Sequence, residues 1–216
     1  PQLRVLTYGL AADADVRADQ VGWQAIQTGQ WGQRLRVCHD RQALDMQIPW
    51  VGGHNVRNVL AVLAALLALG HGLDRAVAAC SHLQAVPGRM QALAHEGAAL
   101  AVVDYAHTPD ALSKALQALR PLAEVRGGRL WCLFGCGGDR DRGKRAEMGR
   151  VAQQLADQVM LTSDNPRSED PQHILNQMLA GVSASESVHV IVDRAQAIAH
   201  TVQHAAAADV ILVAGK

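Results

Sequence analysis

The 216-residue sequence predicts an α/β fold with a mainly parallel sheet covered by helices on both faces. Three observations carry that prediction. Five short apolar runs, Ala98–Val103, Leu130–Phe134, Val159–Thr162, Val188–Val192 and Val210–Ala214, alternate with stretches of helical periodicity. Strands buried on both faces read as such continuous runs. Two of the runs lead into polar clusters, Gly135-Cys136-Gly137-Gly138-Asp139-Arg140-Asp141-Arg142-Gly143-Lys144-Arg145 and Ser163-Asp164-Asn165-Pro166-Arg167-Ser168-Glu169-Asp170. Open parallel sheets bind ligands at the carboxyl ends of their strands. Finally, 49% of the residues are hydrophobic but only 3% are aromatic, so Ala, Val and Leu build the core, which suits helices packed on a sheet.

The first 50 or so residues differ from the rest. Leu3–Leu10, Val21–Thr28, Arg34–His39 and Leu44–Ile48 show partial period-two alternation and are expected strands, some antiparallel. Val56, Val59, Leu60, Leu63, Leu66 and Leu67 then recur at helical spacing, with Gly70 as a stop, and a second helix is expected over about Asp74 to Leu83. Pro87-Gly88 marks a turn, where a domain boundary is placed (1–87 and 88–216). After the run ending at Asp104, Thr108-Pro109-Asp110 opens a helix with a cap, a first-position proline and an acid in the first turn. Its stripe is Leu112, Ala115, Leu116 and Leu119, and Pro121 is expected to stop it. A helix over about Lys144 to Asp157 follows the glycine cluster. Asp170-Pro171 caps the next, with the stripe Ile174, Leu175, Met178 and Leu179, and Asp193 caps the last.

Lysine plus arginine total 20 and aspartate plus glutamate total 20. This balance argues against general attraction to nucleic acid or an anionic membrane. The longest apolar stretch, Val59–Leu69, falls short of the ~20 residues a membrane span needs and reads as a buried helix. No secretory segment is evident at the start. Cys38, Cys80, Cys132 and Cys136 lack a second pair at metal spacing, which suggests reduced, buried thiols in a cytoplasmic protein. Pro1 opens without start logic, and the final Gly215-Lys216 looks like the beginning of another ligand loop, so the chain is expected to be part of a longer one.

The Gly135–Arg145 cluster combines backbone N–H groups, a helix start and four cations, Arg140, Arg142, Lys144 and Arg145, all suited to anions. It is a poor dinucleotide fingerprint, because Arg140 stands where a third glycine is needed. Asp164-Asn165-Pro166-Arg167 offers acceptors for an ammonium group and a planar fork for a carboxylate, so it could hold an amino acid at both ends; it also suits a simple type I turn. Asp104, before Tyr105-Ala106-His107, stands where an acid can take ribose hydroxyls, or where a helix-entry loop would place it.

Taken in order, Gly53-His54-Asn55-Val56-Arg57-Asn58, Pro87-Gly88-Arg89-Met90, Val103-Asp104-Tyr105-Ala106-His107-Thr108-Pro109-Asp110, Phe134 to Asp141, and Asp164-Asn165-Pro166-Arg167 closely resemble the Mur ligases of peptidoglycan synthesis. Within that family the likeness is to the branch that adds the third residue of the stem peptide. The resemblance implies that residues 1–87 belong to a central ATPase domain and 88–216 to a Rossmann-like, amino-acid-binding ligase domain truncated at its end. It implies an ATP-dependent amide ligase in the cytoplasm that adds meso-diaminopimelate to UDP-MurNAc-L-Ala-D-Glu through an acyl phosphate. Mg2+ ligands and catalytic groups are expected outside this chain, leaving the fragment alone inactive. It assigns Asn55, Arg89, Asp104 and His107 to ATP, and Arg140, Asp164, Asn165, Pro166, Arg167 and Gly215 to the incoming amino acid. A non-catalytic nucleotide- or amino-acid-binding module is the alternative, and the missing third glycine disfavours a nucleotide-linked dehydrogenase.

Overall fold

The computed structural model describes residues 5–27 and 30–215. The chain divides into two compact units, Pro1–Ala85 and Val86–Lys216. In the first, β1 (Tyr8–Gly9), β2 (Val16–Gln27), β3 (Gln30–His39) and β4 (Gln42–Ile48) form one sheet in that order. β1 and β2 are parallel, while β2–β3 and β3–β4 are antiparallel hairpin partners. Two helices, α1 (Gly53–Ala68) and α2 (Leu73–Ser81), belong to the same unit. Val16, Leu35, Val37, Met46 and Ile48 from the sheet form one core with Val56, Val59, Leu60 and Leu63 of α1. No helix among the described residues is long and apolar enough to cross a membrane.

Two strand expectations change here. Only Tyr8–Gly9 of the Leu3–Leu10 run is a strand; Leu3 and Arg4 lie outside the described residues, as does Thr28. β2 begins at Val16, five residues before the expected Val21, because Val16 and Ala18 face the core and pair with His39 and Val37. The register shifts between Asp19 and Gly22, with Gln20 at φ 53°. That irregularity flips the alternation midway and hides one strand as two.

The second unit is a six-stranded sheet in the order β5-β6-β10-β7-β8-β9. Its strands are β5 (Gln91–Leu93), β6 (Leu100–Asp104), β7 (Leu130–Phe134), β8 (Gln158–Leu161), β9 (Val188–Val190) and β10 (Val210–Ala214), and its helices are α3 (Pro109–Arg126), α4 (Gly143–Leu155), α5 (Pro171–Leu179) and α6 (Arg194–His204). All neighbours are parallel except β5–β6. β7 is buried along its whole length, as a strand covered on both faces must be. The α/β class read from the sequence is therefore the observed one. The five apolar runs are β6, β7, β8, β9 and β10. β5 went unforeseen because an edge strand of three residues carries no periodicity.

The capping signals operate as expected: Thr108, Asp170 and Asp193 accept from the backbone N–H groups of Ala111, Gln172 and Gln196. Pro121 does not stop α3. The helix runs five residues further, because Leu122 and Ala123 are fully buried while Pro121 itself stays exposed. That burial outweighs the ~3 kcal/mol an internal proline typically costs. Termination falls to Gly127, left-handed at φ 69°, with Gly127 and Gly128 N–H groups closing on Glu124 and Ala123.

Candidate functional site

Four strand tips of the second unit supply one cavity of about 650 Å³. Tyr105, His107 and Thr108 come from the loop after β6; Gly137, Arg140, Asp141 and Lys144 follow β7; Asp164, Asn165 and Arg167 follow β8; Gly215 follows β10. The sheet order explains this convergence, since β10 lies between β6 and β7, and β8 is beside β7. Two cavities in the first unit, about 710 and 670 Å³, are as large but contain none of the expected site residues. Donor chemistry, not size, singles out the strand-tip cavity.

The loops after β7 and β8 are built as one piece. Gly138 N–H donates to the Asn165 carbonyl at 2.9 Å, and a Cβ on Gly138 would sit 1.8 Å from the Pro166 oxygen. Only glycine allows that approach. Arg167 takes the left-handed region at φ 49° and donates Nη1 to the Gly138 carbonyl at 2.5 Å. Asp139 accepts from Ser168 through Oγ at 2.6 Å and N–H at 3.2 Å, which holds its carboxyl below its ordinary range. Lys144 Nζ donates to the His107 carbonyl at 2.9 Å, joining the loop after β6 to the same body.

The functional ends of several groups remain uncommitted. Among the described residues, the Arg140 guanidinium, the Asp164 carboxylate and the Asn165 carboxamide line the cavity without a hydrogen bond to another protein group. Behind Asp164, Arg194 donates to the Ala214 and Ser163 carbonyls at 2.9 and 3.4 Å. Burial lowers the Arg194 pKa and the charge of Asp164 opposes that shift. Arg194 was not singled out from sequence, because an arginine after a helix cap has no local signature.

Arg145 was expected among the anion-attracting cations and is instead internal. It is 0% exposed and makes a double salt bridge to Glu169, Nη2–Oε1 at 2.8 Å and Nη1–Oε2 at 2.9 Å. Its charge is spent inside the protein, so Arg140, Arg142 and Lys144 are the cluster's outward cations. Cys136 is also internal: burial pushes its thiol up to about 11, against the pull of Lys144 and Arg145.

Arg89, Asp104 and His107 gather at the β6 tip. The Asp104 carboxylate accepts from Met90 and Ala106 N–H groups, each at 2.9 Å, pinning the Gly88-Arg89-Met90 turn beside it. Each oxygen keeps a further lone pair for a hydroxyl. The Arg89 guanidinium lies 5.1 Å from the Tyr105 ring centre, and His107 meets that ring edge-on at 5.2 Å. A carbonyl can only accept, so His107 Nδ1 donates to the Tyr105 carbonyl at 2.9 Å, and Nε2 is left for another partner. Pro166 shapes the β8 loop without lining the cavity, and Asn55 belongs to the first unit, on α1, where its Nδ2 donates to the Val51 carbonyl at 2.8 Å.

A mainly parallel sheet whose strand tips present guanidinium groups, acceptors and a glycine loop to one cavity has the architecture of an open α/β domain, the class in which ligands bind at the strand ends. Residues 88–216 match the family model "Mur ligase, glutamate ligase domain", and residues 1–66 match "Mur ligase middle domain". The chain belongs to the Mur ligase family. It is 54% identical, over 86% of its length and 37% of the relative's, to the UDP-N-acetylmuramoyl-L-alanyl-D-glutamate–2,6-diaminopimelate ligase of Acidovorax sp. (strain JS42). It is 48% identical to the ligase of the same name from Chromobacterium violaceum, over 100% of its length and 42% of the relative's. A solved diaminopimelate ligase matches at a TM-score of 0.73 and 38% identity, over 98% of this chain and 42% of that one. UDP-N-acetylmuramate-alanine ligase from Thermotoga maritima shares the fold, at a TM-score of 0.66 and 20% identity, over 97% of this chain and 44% of that one. The chain thus spans about two-fifths of the length of these relatives.

Proposed function

We propose that this chain carries the amino-acid-binding part of an ATP-dependent ligase that joins meso-diaminopimelate to UDP-MurNAc-L-Ala-D-Glu in the cytoplasm. The observation that carries the reading is one cavity presenting two guanidinium groups, Arg140 and Arg167, with two acceptors, Asp164 and Asn165. Diaminopimelate has two carboxylates and two amines, and this donor set matches both kinds of group. Identity of 54% and 48% to named diaminopimelate ligases supports the same substrate.

In this reading the D-Glu side-chain carboxylate is activated as an acyl phosphate, and an amine of diaminopimelate attacks it. The residues of this chain bind and orient. Arg167 and Arg140 anchor carboxylates, Asp164 and Asn165 accept from ammonium hydrogens, Gly215 forms part of the wall, and Pro166 holds the loop after β8 in shape. Positioning of this kind converts an encounter into an intramolecular step, where effective molarities reach roughly 10⁵ M or more. Asp104 takes ribose hydroxyls of ATP, with Arg89 and His107 beside it on the same unit. Among the described residues no group of three His, Cys, Asp or Glu side chains is placed to hold a metal. The Mg2+ that the family resemblance implies would be held by parts of the longer ligase, where it would neutralise phosphate charge.

The test is Arg167→Ala in the full-length ligase, with kcat/KM measured for diaminopimelate and lysine. Lysine lacks the far carboxylate, so the variant loses diaminopimelate use and gains little or nothing with lysine. Wild-type-like kcat/KM for diaminopimelate in the variant overturns the assignment.

A further inference from the structure

We propose that Glu169, acting through the buried Arg145, is a positioning residue for the amino-acid subsite, an inference that rests on the functional reading above. Neither residue lines the cavity, yet both loops that do are fastened to them. Glu169 is two residues from Arg167 and Arg145 follows the cavity-lining Lys144.

The fastening forms a ring. Besides its two bonds to Glu169, Arg145 donates Nη2 to the Gly137 carbonyl at 3.0 Å and Nη1 to Gln177 Oε1 at 2.6 Å. Glu169 Oε1 also accepts the Asp139 N–H at 2.7 Å. Asp139 then returns to the second loop through its carboxylate and Ser168. One buried charge pair therefore fixes Gly137 and Asp139, which flank the approach to Arg140, and Ser168, which follows Arg167. The positive φ of Arg167, 49°, needs such external support; Asp139, at 52°, is of a type that enters this region more readily.

Stability alone does not account for a charge pair here. A buried pair is often no better for stability than well-packed apolar side chains, while its fixed bidentate geometry imposes one arrangement. The arrangement imposed is the pointing direction of two loops whose tips carry the substrate forks.

The experiment is a double-mutant cycle in the full-length ligase, with KM for diaminopimelate, KM for ATP and kcat measured separately. Glu169→Gln keeps the side-chain volume and places an amide NH₂ against Arg145. It raises KM for diaminopimelate about tenfold and leaves KM for ATP within about twofold. In an Arg145→Lys background, which keeps the charge and loses the two-pronged geometry, the same change has much less further effect, because Glu169 acts through that fork. Ser168→Ala, at an exposed residue, carries the test if Glu169→Gln does not fold, and raises the same KM a few-fold. Unmoved KM for diaminopimelate, equal rises for both substrates, or additive effects in the cycle overturn the positioning role. A wild-type ligase inactive with diaminopimelate overturns the functional reading and this proposal with it; an active wild type with an unmoved variant overturns the positioning role alone.

Discussion

The two ends of the parallel sheet use the same residue types to opposite effect. At the amino end, Asp209, 4% exposed, accepts from Arg129 N–H, Trp131 Nε1–H and Ala206 N–H at 2.7, 2.9 and 3.0 Å. Asp157, just before β8, takes Leu130 N–H and Arg120 Nη1 at 2.6 and 2.7 Å, and Arg126 donates to the Ala207 and Ala208 carbonyls. At the carboxyl end, the acid and guanidinium groups of Asp164 and Arg140 face an open cavity. Saturated groups hold the fold together, whereas unsaturated ones at a cavity rim are acceptors and donors in waiting. The partner list, rather than the residue type, separates structure from function here.

That contrast can be broken by substitution. Arg140→Ala is expected to cost roughly 10³-fold or more in kcat/KM for diaminopimelate in the full-length enzyme, because a carboxylate left without its fork is rejected strongly; the thermal midpoint should move by no more than a degree or two, since the guanidinium faces the cavity. Asp209→Leu should do the reverse. It strands the buried Trp131 Nε1–H, at about 1–3 kcal/mol before relaxation, and frees two part-buried backbone N–H groups, so the denaturant midpoint drops while KM for diaminopimelate in the surviving folded enzyme holds. A large KM change in Asp209→Leu would erase the distinction between the two ends.

Acid sharpens the comparison further. Hydrogen bonds from Arg145, then from Asp139 N–H, hold the Glu169 carboxyl down to about 2 from an ordinary 4.5. The folded state therefore binds fewer protons than the unfolded one, so this contribution is complete above pH 4.5 and is lost as pH falls toward 2. Urea midpoints followed from pH 5 to 2 should fall more steeply for wild type than for Glu169→Gln, and equal slopes would argue against a folded-state ion pair. The smallest effect concerns the thiols. Burial raises Cys136 to about 11 and Cys132 higher still, so a thiolate-selective reagent at pH 8 should label neither until the protein unfolds.

Much of this was legible from local pattern. Apolar runs ending in Gly or Asp announced four of the strand tips, and the Thr108, Asp170 and Asp193 caps fixed where three helices begin. What escaped depended on distant partners. Arg142 and Arg145 look alike in sequence and both reach Glu169, 24 or more residues further on; Arg142 does so at 3.5 Å from the surface, while Arg145 is enclosed and is also held by Gln177 and the Gly137 carbonyl. Pro121 reads as a stop until the burial of Leu122 and Ala123 is known. β5 exists only because β6 offers it an edge.

The contact between Gly138 and Pro166 has a consequence for anyone wishing to re-tool this domain. Because the two segments interlock at a distance that admits no side chain, they cannot be exchanged one at a time. A graft carrying a different amino-acid preference must transplant both hairpin-like segments together, along with the acid and base that rivet them, or the imported fingers will point elsewhere.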